Sequence, residues 1–103
     1  MLQYKIEFDQ LQTFEPMKGI QCKIYKHNNK QIRLVKYSKE MPLHWCNKGH
    51  YGYILEGEFE IEYLNKKIVY KTGDGVFIPD GEAHKHQAKV ISDFVKVIFV
   101  EDV

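Results

Sequence analysis

The chain contains little cysteine, little proline and no long apolar run. Two of its 103 residues are cysteine and three are proline, and fifteen Lys and Arg stand against fourteen Asp and Glu. This balance, with lysines scattered along the chain, leaves no electrostatic footprint for a nucleic-acid partner. No stretch approaches the ~20 apolar residues that span a bilayer, and the first residues lack a secretory signal. We therefore expect a cytoplasmic protein without a membrane partner.

The length and the two cysteines limit the class of protein further. A chain of 103 residues builds one core, so we expect a single domain over residues 1–103. Two cysteines in a reducing compartment are not a disulfide framework. Cys22 and Cys46 are therefore interpreted as core thiols or metal ligands.

Apolar residues alternate with polar ones over several short stretches, which is the pattern of strands with one buried face. The clearest stretches are Leu2 to Phe8, Ile20 to Ile24 and Phe59 to Tyr63. Turn residues separate the stretches at the spacing of antiparallel hairpins. Pro16 makes the region from about residue 9 to 19 irregular. The pattern predicts an all-β fold, either a sandwich or a small antiparallel β-barrel.

Four side chains with metal-ligating chemistry lie in two strand-rich segments. The segments read His44-x-Cys46-x3-His50-x6-Gly57 and Gly73-x5-Pro79-x-Gly81-x2-His84. Strand side chains repeat every two residues, so His44, Cys46 and His50 can project from one face. A turn at Pro79-Asp80-Gly81 fixes the direction of the chain that brings in His84.

Together the two segments resemble the paired motifs of the cupin superfamily. The first motif of that family begins with His-x-His and ends in a Glu seven residues before a turn glycine, and here it spans about residues 43–58. The second motif spans about residues 73–88 and matches more closely, at Gly73, Pro79, Gly81 and His84, whereas Ala88 replaces the late Asn of the family. The resemblance implies a cupin-like double-stranded jelly roll in a small stand-alone domain.

The resemblance also implies a metal site. It makes His44 the first ligand, places Cys46 at the second His and His50 at the Glu, and makes His84 the last His. Both replacements can still bind a metal, which favours a retained but altered site. Loss of the carboxylate ligand makes Mg, Ca and Mn less suitable and shifts the site toward Zn, Ni, Fe or Cu, with Zn, Ni and Fe favoured.

Two features of this site stay open at the level of sequence. Cys46 either binds the ion and closes a tetrahedral site, or lies beside it and leaves a position free for substrate. His86 shares the strand parity of His84, so it lies either in the same pocket or on a surface strand.

These features predict a metal-dependent enzyme acting on a small organic molecule, and the three-His members of the family include dioxygenases. The alternative is a non-catalytic barrel that binds a small ligand or a metal and signals through dimer contacts. Tyr51, Tyr53 and Leu55 have the opposite parity to His50, so they predict exposed apolar area on the outer face. We expect a homodimer, which would cover that area and the sheet edges.

Overall fold

The strands of the computed structural model, which describes residues 2–103, form two antiparallel sheets. The strands are β1 (Phe14–Met17), β2 (Ile20–His27), β3 (Lys30–Ser38), β4 (His50–Glu56), β5 (Glu58–Glu62), β6 (Lys67–Lys71), β7 (Gly75–Ile78), β8 (Gln87–Val90) and β9 (Phe94–Asp102). Two short 3-10 helices span Phe8–Gln10 and Glu82–His84.

The two sheets face each other as an open sandwich. The larger sheet has the order β1-β2-β3-β9-β4-β7 and the smaller has the order β6-β5-β8. The prediction of an all-β antiparallel fold is confirmed. The predicted closure into a barrel is not, because β7 and β6 stay at the edges of separate sheets. Within residues 2–103, no helix is both long and apolar enough to cross a membrane.

The N-terminal region departs from the sequence prediction. Residues 2–7 form no strand, because no neighbouring strand covers their alternating apolar side chains, and Tyr4 is 96% exposed. Pro16, in contrast, lies inside β1. It is tolerated there because β1 is an edge strand whose pairing with β2 shifts register between Phe14 and Met17.

The core lies between the inner faces of the two sheets. Its buried apolar residues are Ile20, Cys22, Val35, Met41, Ile54, Phe59, Ile61, Val76, Ile78, Val90, Val95, Val97 and Phe99. The largest fully buried side chains of this core are Phe59, Ile54 and Ile78. Apolar side chains therefore fill most of the interior of the sandwich. A polar site can form only at an end of the sandwich that these side chains do not fill.

Gly52 allows β4 to lie directly against β9. A Cβ atom on Gly52 would lie 2.1 Å from the carbonyl oxygen of Ile98 and 2.8 Å from Cδ1 of Phe99. The first contact is with backbone, which cannot rotate away. Gly75 on β7 is opposite Gly52's neighbour Tyr53, and its Cβ would meet the Gly52 oxygen at an ordinary 3.7 Å.

We expect Gly52→Ala to lower the free energy of unfolding by about 3 kcal/mol, because β4 and β9 must separate to admit the methyl group. Gly75→Ala is the matched control and should cost less than about 1 kcal/mol. Urea denaturation at neutral pH measures both. Equal losses for the two variants would contradict the close approach at Gly52.

A buried carboxylate joins three adjacent strands of the larger sheet. Glu101 on β9 has a side chain that is 1% exposed. It accepts hydrogen bonds from Gln31 Nε2 at 2.6 Å, from Arg33 Nε at 2.9 Å and from Arg33 Nη2 at 2.7 Å. His50 Nδ1 on β4 donates to Oε2, the oxygen that also accepts from Arg33 Nη2. Burial alone would raise the pKa of Glu101, but the bonds from His50 and Arg33 lower it to about 2.

This lowered pKa makes the contribution of Glu101 to the stability of the fold sensitive to acid. A group with a lowered folded pKa contributes stability above its unfolded pKa of 4.5, and loses it as pH falls toward about 2. The shift corresponds to about 3 kcal/mol. We expect Glu101→Gln to have a smaller free energy of unfolding than the wild type at pH 7. The variant should also lose less of that free energy between pH 7 and pH 2. Urea denaturation in EDTA measures both.

The matched control is Asp102→Asn, the neighbouring exposed acid that pairs with Lys30. It should follow the acid profile of the wild type. If Glu101→Gln and the wild type instead lost equal stability between pH 7 and pH 2, the stabilising role of the ionised Glu101 carboxylate would be refuted.

Candidate metal centre

Three side chains with metal-binding atoms converge at one end of the sandwich. One ligand atom each from Cys46, His50 and His86 can be chosen so that all three lie within 4.8 Å of one another. The side chain of His50 is 12% exposed and His86 is 5% exposed. Atoms this close can share one ion, and they are shielded from most of the solvent.

Different elements bring these side chains together. Cys46 and His86 form an isolated antiparallel bridge, in which each backbone N–H donates to the other residue's carbonyl, at 2.8 and 2.9 Å. Directly opposed residues project to the same side of the bridge. His50 is the first residue of β4 and pairs with Ile78 on β7. Its ring stacks on Phe99 with centroids 4.6 Å apart, which holds it toward the interior.

Hydrogen bonds set the tautomer of each histidine near the site. His86 Nδ1 lies 3.0 Å from the carbonyl oxygen of His84, and His44 Nδ1 lies 3.1 Å from that of Pro42. His50 Nδ1 contacts the ionised carboxylate of Glu101. All three oxygens can only accept, so each Nδ1 carries a hydrogen, and Nε2 is the nitrogen left to bind a metal.

The pKa values of the clustered groups are shifted in ways that follow from their contacts. A hydrogen bond with His50 lowers the pKa of the Cys46 thiol, against the effect of burial. Burial lowers the pKa of His86 and so favours its neutral form. Burial would also lower the pKa of His50, but hydrogen bonds with Cys46 and Glu101 raise it. A thiolate and a neutral imidazole are the forms that bind transition metals. The shifts at Cys46 and His86 therefore favour metal binding, whereas the raised pKa of His50 opposes it.

A cavity of about 140 Å³ opens beside the cluster. Its lining residues are Ile20, Arg33, Tyr37, Met41, His44, Cys46, His50, His86, Gln87 and Ala88. His44, on the segment before Cys46, therefore faces the same space as the three clustered residues. The arrangement offers three converging donors, a further histidine on the same cavity wall, and room for a small molecule.

The structure does not bring His84 into this cluster. His84 ends the 3-10 helix Glu82–His84, is exposed, and contributes its carbonyl oxygen rather than its ring to His86. The other three residues of the predicted ligand set, His44, Cys46 and His50, line the cavity. The cluster therefore contains two of the four predicted ligands, Cys46 and His50, and has His86 in place of His84. His44 lines the cavity but does not belong to the cluster, and the ligand set itself stays a prediction.

Sequence reasoning gave His86 only an even choice between the pocket and a surface strand, and it did not identify Glu101 or Arg33. Strand parity was the available signal for His86, since residues 84 and 86 fit it equally. For Glu101, the signal was a charged residue at an inward position of an otherwise apolar alternation, Val95, Val97 and Phe99.

Several solved structures share this fold. KdgF from Halomonas sp. is 24% identical, with 91% of this chain and 89% of that chain covered and a TM-score of 0.74. An RmlC-like cupin from Shewanella frigidimarina NCIMB 400 is 17% identical, with 98% and 91% covered and a TM-score of 0.76. Hydroxypropylphosphonic acid epoxidase from S. wedmorenis is 14% identical with a TM-score of 0.77, and 93% of this chain matches 57% of the epoxidase.

Comparison with curated proteins gives no match. The family model described as a cupin domain matches residues 31–98. These include β4 to β8, all but the first residue of β3, the first five residues of β9 and all the clustered side chains. This match covers well over half of the chain and agrees with the structural similarity. The chain belongs to the cupin family.

Proposed function

We propose that this cupin is a metal-dependent enzyme that acts on a small organic molecule in the cavity beside Cys46, His50 and His86. The observation that carries the proposal is the convergence of these three ligand atoms within 4.8 Å at a cavity wall. His44 lies on the same wall and is the fourth candidate ligand. The predicted ligand His84 is replaced by His86 in this proposal, because the His84 side chain is exposed.

The donor set fits a divalent transition metal. One sulfur and two or three imidazole nitrogens suit Zn, Ni or Fe(II) better than the hard ions Mg, Ca and Mn. Glu101 completes the arrangement by fixing the His50 ring through Nδ1, as carboxylates behind ligating histidines commonly do. Among the similar structures, the epoxidase HppE has been solved in an Fe(II) form, which supports iron as one candidate for this chain.

When bound, such an ion supplies Lewis acidity or activates oxygen, and the family's dioxygenases are one class of chemistry consistent with it. The residues of the chain supply the surroundings. Glu101 and the His84 carbonyl hold the rings of His50 and His86 in position. Met41, Ile20 and Ala88 form apolar parts of the cavity wall, which limits access by water.

Removal of single ligands tests the site. In protein purified without chelator, we expect about one transition-metal ion per chain, measured by elemental analysis. His86→Ala and His50→Ala should weaken metal affinity by more than the ~10–100-fold that the loss of an outer partner causes. Glu101→Gln should fall within that range, because it removes only the support behind His50.

His84→Ala is the matched control, since it deletes an exposed imidazole two residues from His86. It should retain the ion. Loss of the ion in His84→Ala together with retention in His86→Ala would restore His84 to the ligand set and refute the assignment made from the cluster.

The second candidate function is a non-catalytic module that senses a metal or a small ligand. The observation in its favour is that four donors, His44, Cys46, His50 and His86, share one cavity and could close a tetrahedral site. Azide added to Co(II)-loaded protein distinguishes the two, because it binds only where a coordination position is free. A shifted visible spectrum supports the enzyme, and an unchanged spectrum supports the sensing module. Both cysteines are free thiols, which suits the cytoplasm that we propose for either function.

A homodimer through the outer face of the larger sheet is also part of this proposal. Two adjacent rows of cross-strand neighbours on that face are mostly apolar. They are Tyr25, Ile32, Val100, Tyr51 and Phe77, followed by Lys23, Leu34, Ile98, Tyr53 and Gly75. Phe77 is 77% exposed and stacks on Tyr51, which is 44% exposed. Antiparallel sheets normally present polar residues to water, so this face needs a cover.

The size of the face suits a second copy of the chain. Five strands about 4.8 Å apart and four rows about 7 Å apart, counting one flanking row on each side, give roughly 650 Å². A standard interface buries about 800 Å² per partner, and a two-fold pair uses the same patch on both copies. The N-terminal segment borders the face at β2, where Gln3 N–H donates to the Tyr25 hydroxyl at 2.8 Å.

We expect Phe77→Glu to convert the dimer to a monomer, because it replaces the most exposed apolar side chain of the interface with a charge. Light scattering during size exclusion measures the mass. Leu64→Glu, which changes an apolar residue that is 58% exposed between β5 and β6, is the control and should stay dimeric. A monomeric wild type would refute the interface.

A further inference from the structure

Two hydrogen-bond donors share the cavity with the candidate metal centre and are not fully used by the fold. Arg33 and Tyr37 lie four residues apart on β3, so both side chains point from the same face of the strand into the cavity. A guanidinium has five N–H groups. Two of them bond Glu101 and one faces the Cys22 thiol, which leaves two for another acceptor.

The Tyr37 hydroxyl is the second donor. Its ring stacks on Phe59 with centroids 6.0 Å apart, which fixes its direction. Burial raises the pKa of Tyr37 to about 12, and no hydrogen bond within residues 2–103 contributes to this shift. Every fully enclosed polar side-chain atom of these residues has a partner, so this hydroxyl is not fully enclosed, and Tyr37 is one of the residues that line the cavity. A phenol that stays protonated at neutral pH can donate a hydrogen bond to a ligand in the cavity.

The charges around the cavity favour an anion. No Asp or Glu is among the lining residues. The charge of Arg33 is balanced by Glu101, outside the lining. A divalent ion held by one thiolate and neutral imidazoles keeps one net positive charge. A ligand that carries one negative charge would therefore be attracted by this positive charge and could accept hydrogen bonds from Arg33 and Tyr37.

The volume limits the size of that ligand. The cavity measures about 140 Å³, whereas pockets for drug-sized molecules measure roughly 300–1,000 Å³. A protein cavity of about 150 Å³ accommodates benzene, a molecule of six carbon atoms. The space beside the ligand cluster therefore fits a molecule with about six non-hydrogen atoms, such as a two- or three-carbon acid.

We propose that Tyr37 and Arg33 form an anion subsite that binds the carboxylate of a small organic acid beside the metal centre. This inference rests on the proposed function and names its substrate class. Tyr37 donates its hydroxyl hydrogen to one carboxylate oxygen, and the spare N–H groups of Arg33 bind the same group. The remainder of the acid then lies toward Cys46, His50 and His86.

Titration of a small acid against its neutral analogue tests the subsite. Pyruvate and pyruvamide are added to Co(II)-loaded protein, and the visible spectrum gives each Kd. We expect pyruvate to bind more tightly than pyruvamide, and Tyr37→Phe to weaken pyruvate binding by about tenfold with little effect on pyruvamide. That loss is the ordinary consequence of removing one hydrogen bond to a charged group.

Tyr53→Phe is the matched control, because it removes a hydroxyl from an exposed tyrosine on the outer face. It should leave both Kd values unchanged. Tyr37→Phe should retain the Co(II) affinity of the wild type, which separates the subsite from the metal site. The same pair of ligands is titrated into metal-free protein by NMR. If wild type and Tyr37→Phe bind pyruvate equally in both forms, the inference is overturned, whereas failure to bind Co(II) alone counts against the metal centre.

Discussion

A single buried carboxylate holds the central strands and the candidate site together. Glu101 on β9 receives Gln31 and Arg33 from β3 and His50 from β4, so strands that are neighbours in the sheet are also joined through their side chains. A buried charge is costly unless its partners surround it. The same bonds that offset this cost also orient the imidazole of His50. Stability of the sheet and geometry of the site therefore depend on one group.

The fold was largely predictable from the sequence, because alternation and turn residues are local signals. The strands around Ile20 to Ile24 and Phe59 to Tyr63 follow directly from them. Closure is a different kind of property, since it depends on whether edge strands of two sheets meet, and no local pattern records that. The alternation over Leu2 to Phe8 misled for the same reason, since a strand requires a neighbour as well as a pattern.

The candidate site was predictable in outline and not in detail. Strand parity assigned His44, Cys46 and His50 to one cavity, and all three line it. Only His50 belongs to a regular strand, however, and Cys46 is placed by its isolated bridge to His86. Beyond the turn at Pro79, the 3-10 helix Glu82–His84 rotates the chain, and parity cannot count through it. The outward ring of His84 and the inward ring of His86 result from that rotation. Glu101 lay outside the matched motifs, so only its inward position on β9 marked it.

The two halves of the donor cluster have different mechanical support. His50 belongs to β4, which is hydrogen-bonded to β7 on one side and to β9 on the other within the six-stranded sheet. Cys46 and His86, in contrast, face each other through one pair of backbone bonds outside the regular strands. If that pair of bonds breaks, Cys46 and His86 can move away from His50 while the strands of the sandwich stay paired. Because local opening requires less free energy than global unfolding, exchange of an ion at the proposed site would not require the sandwich to unfold.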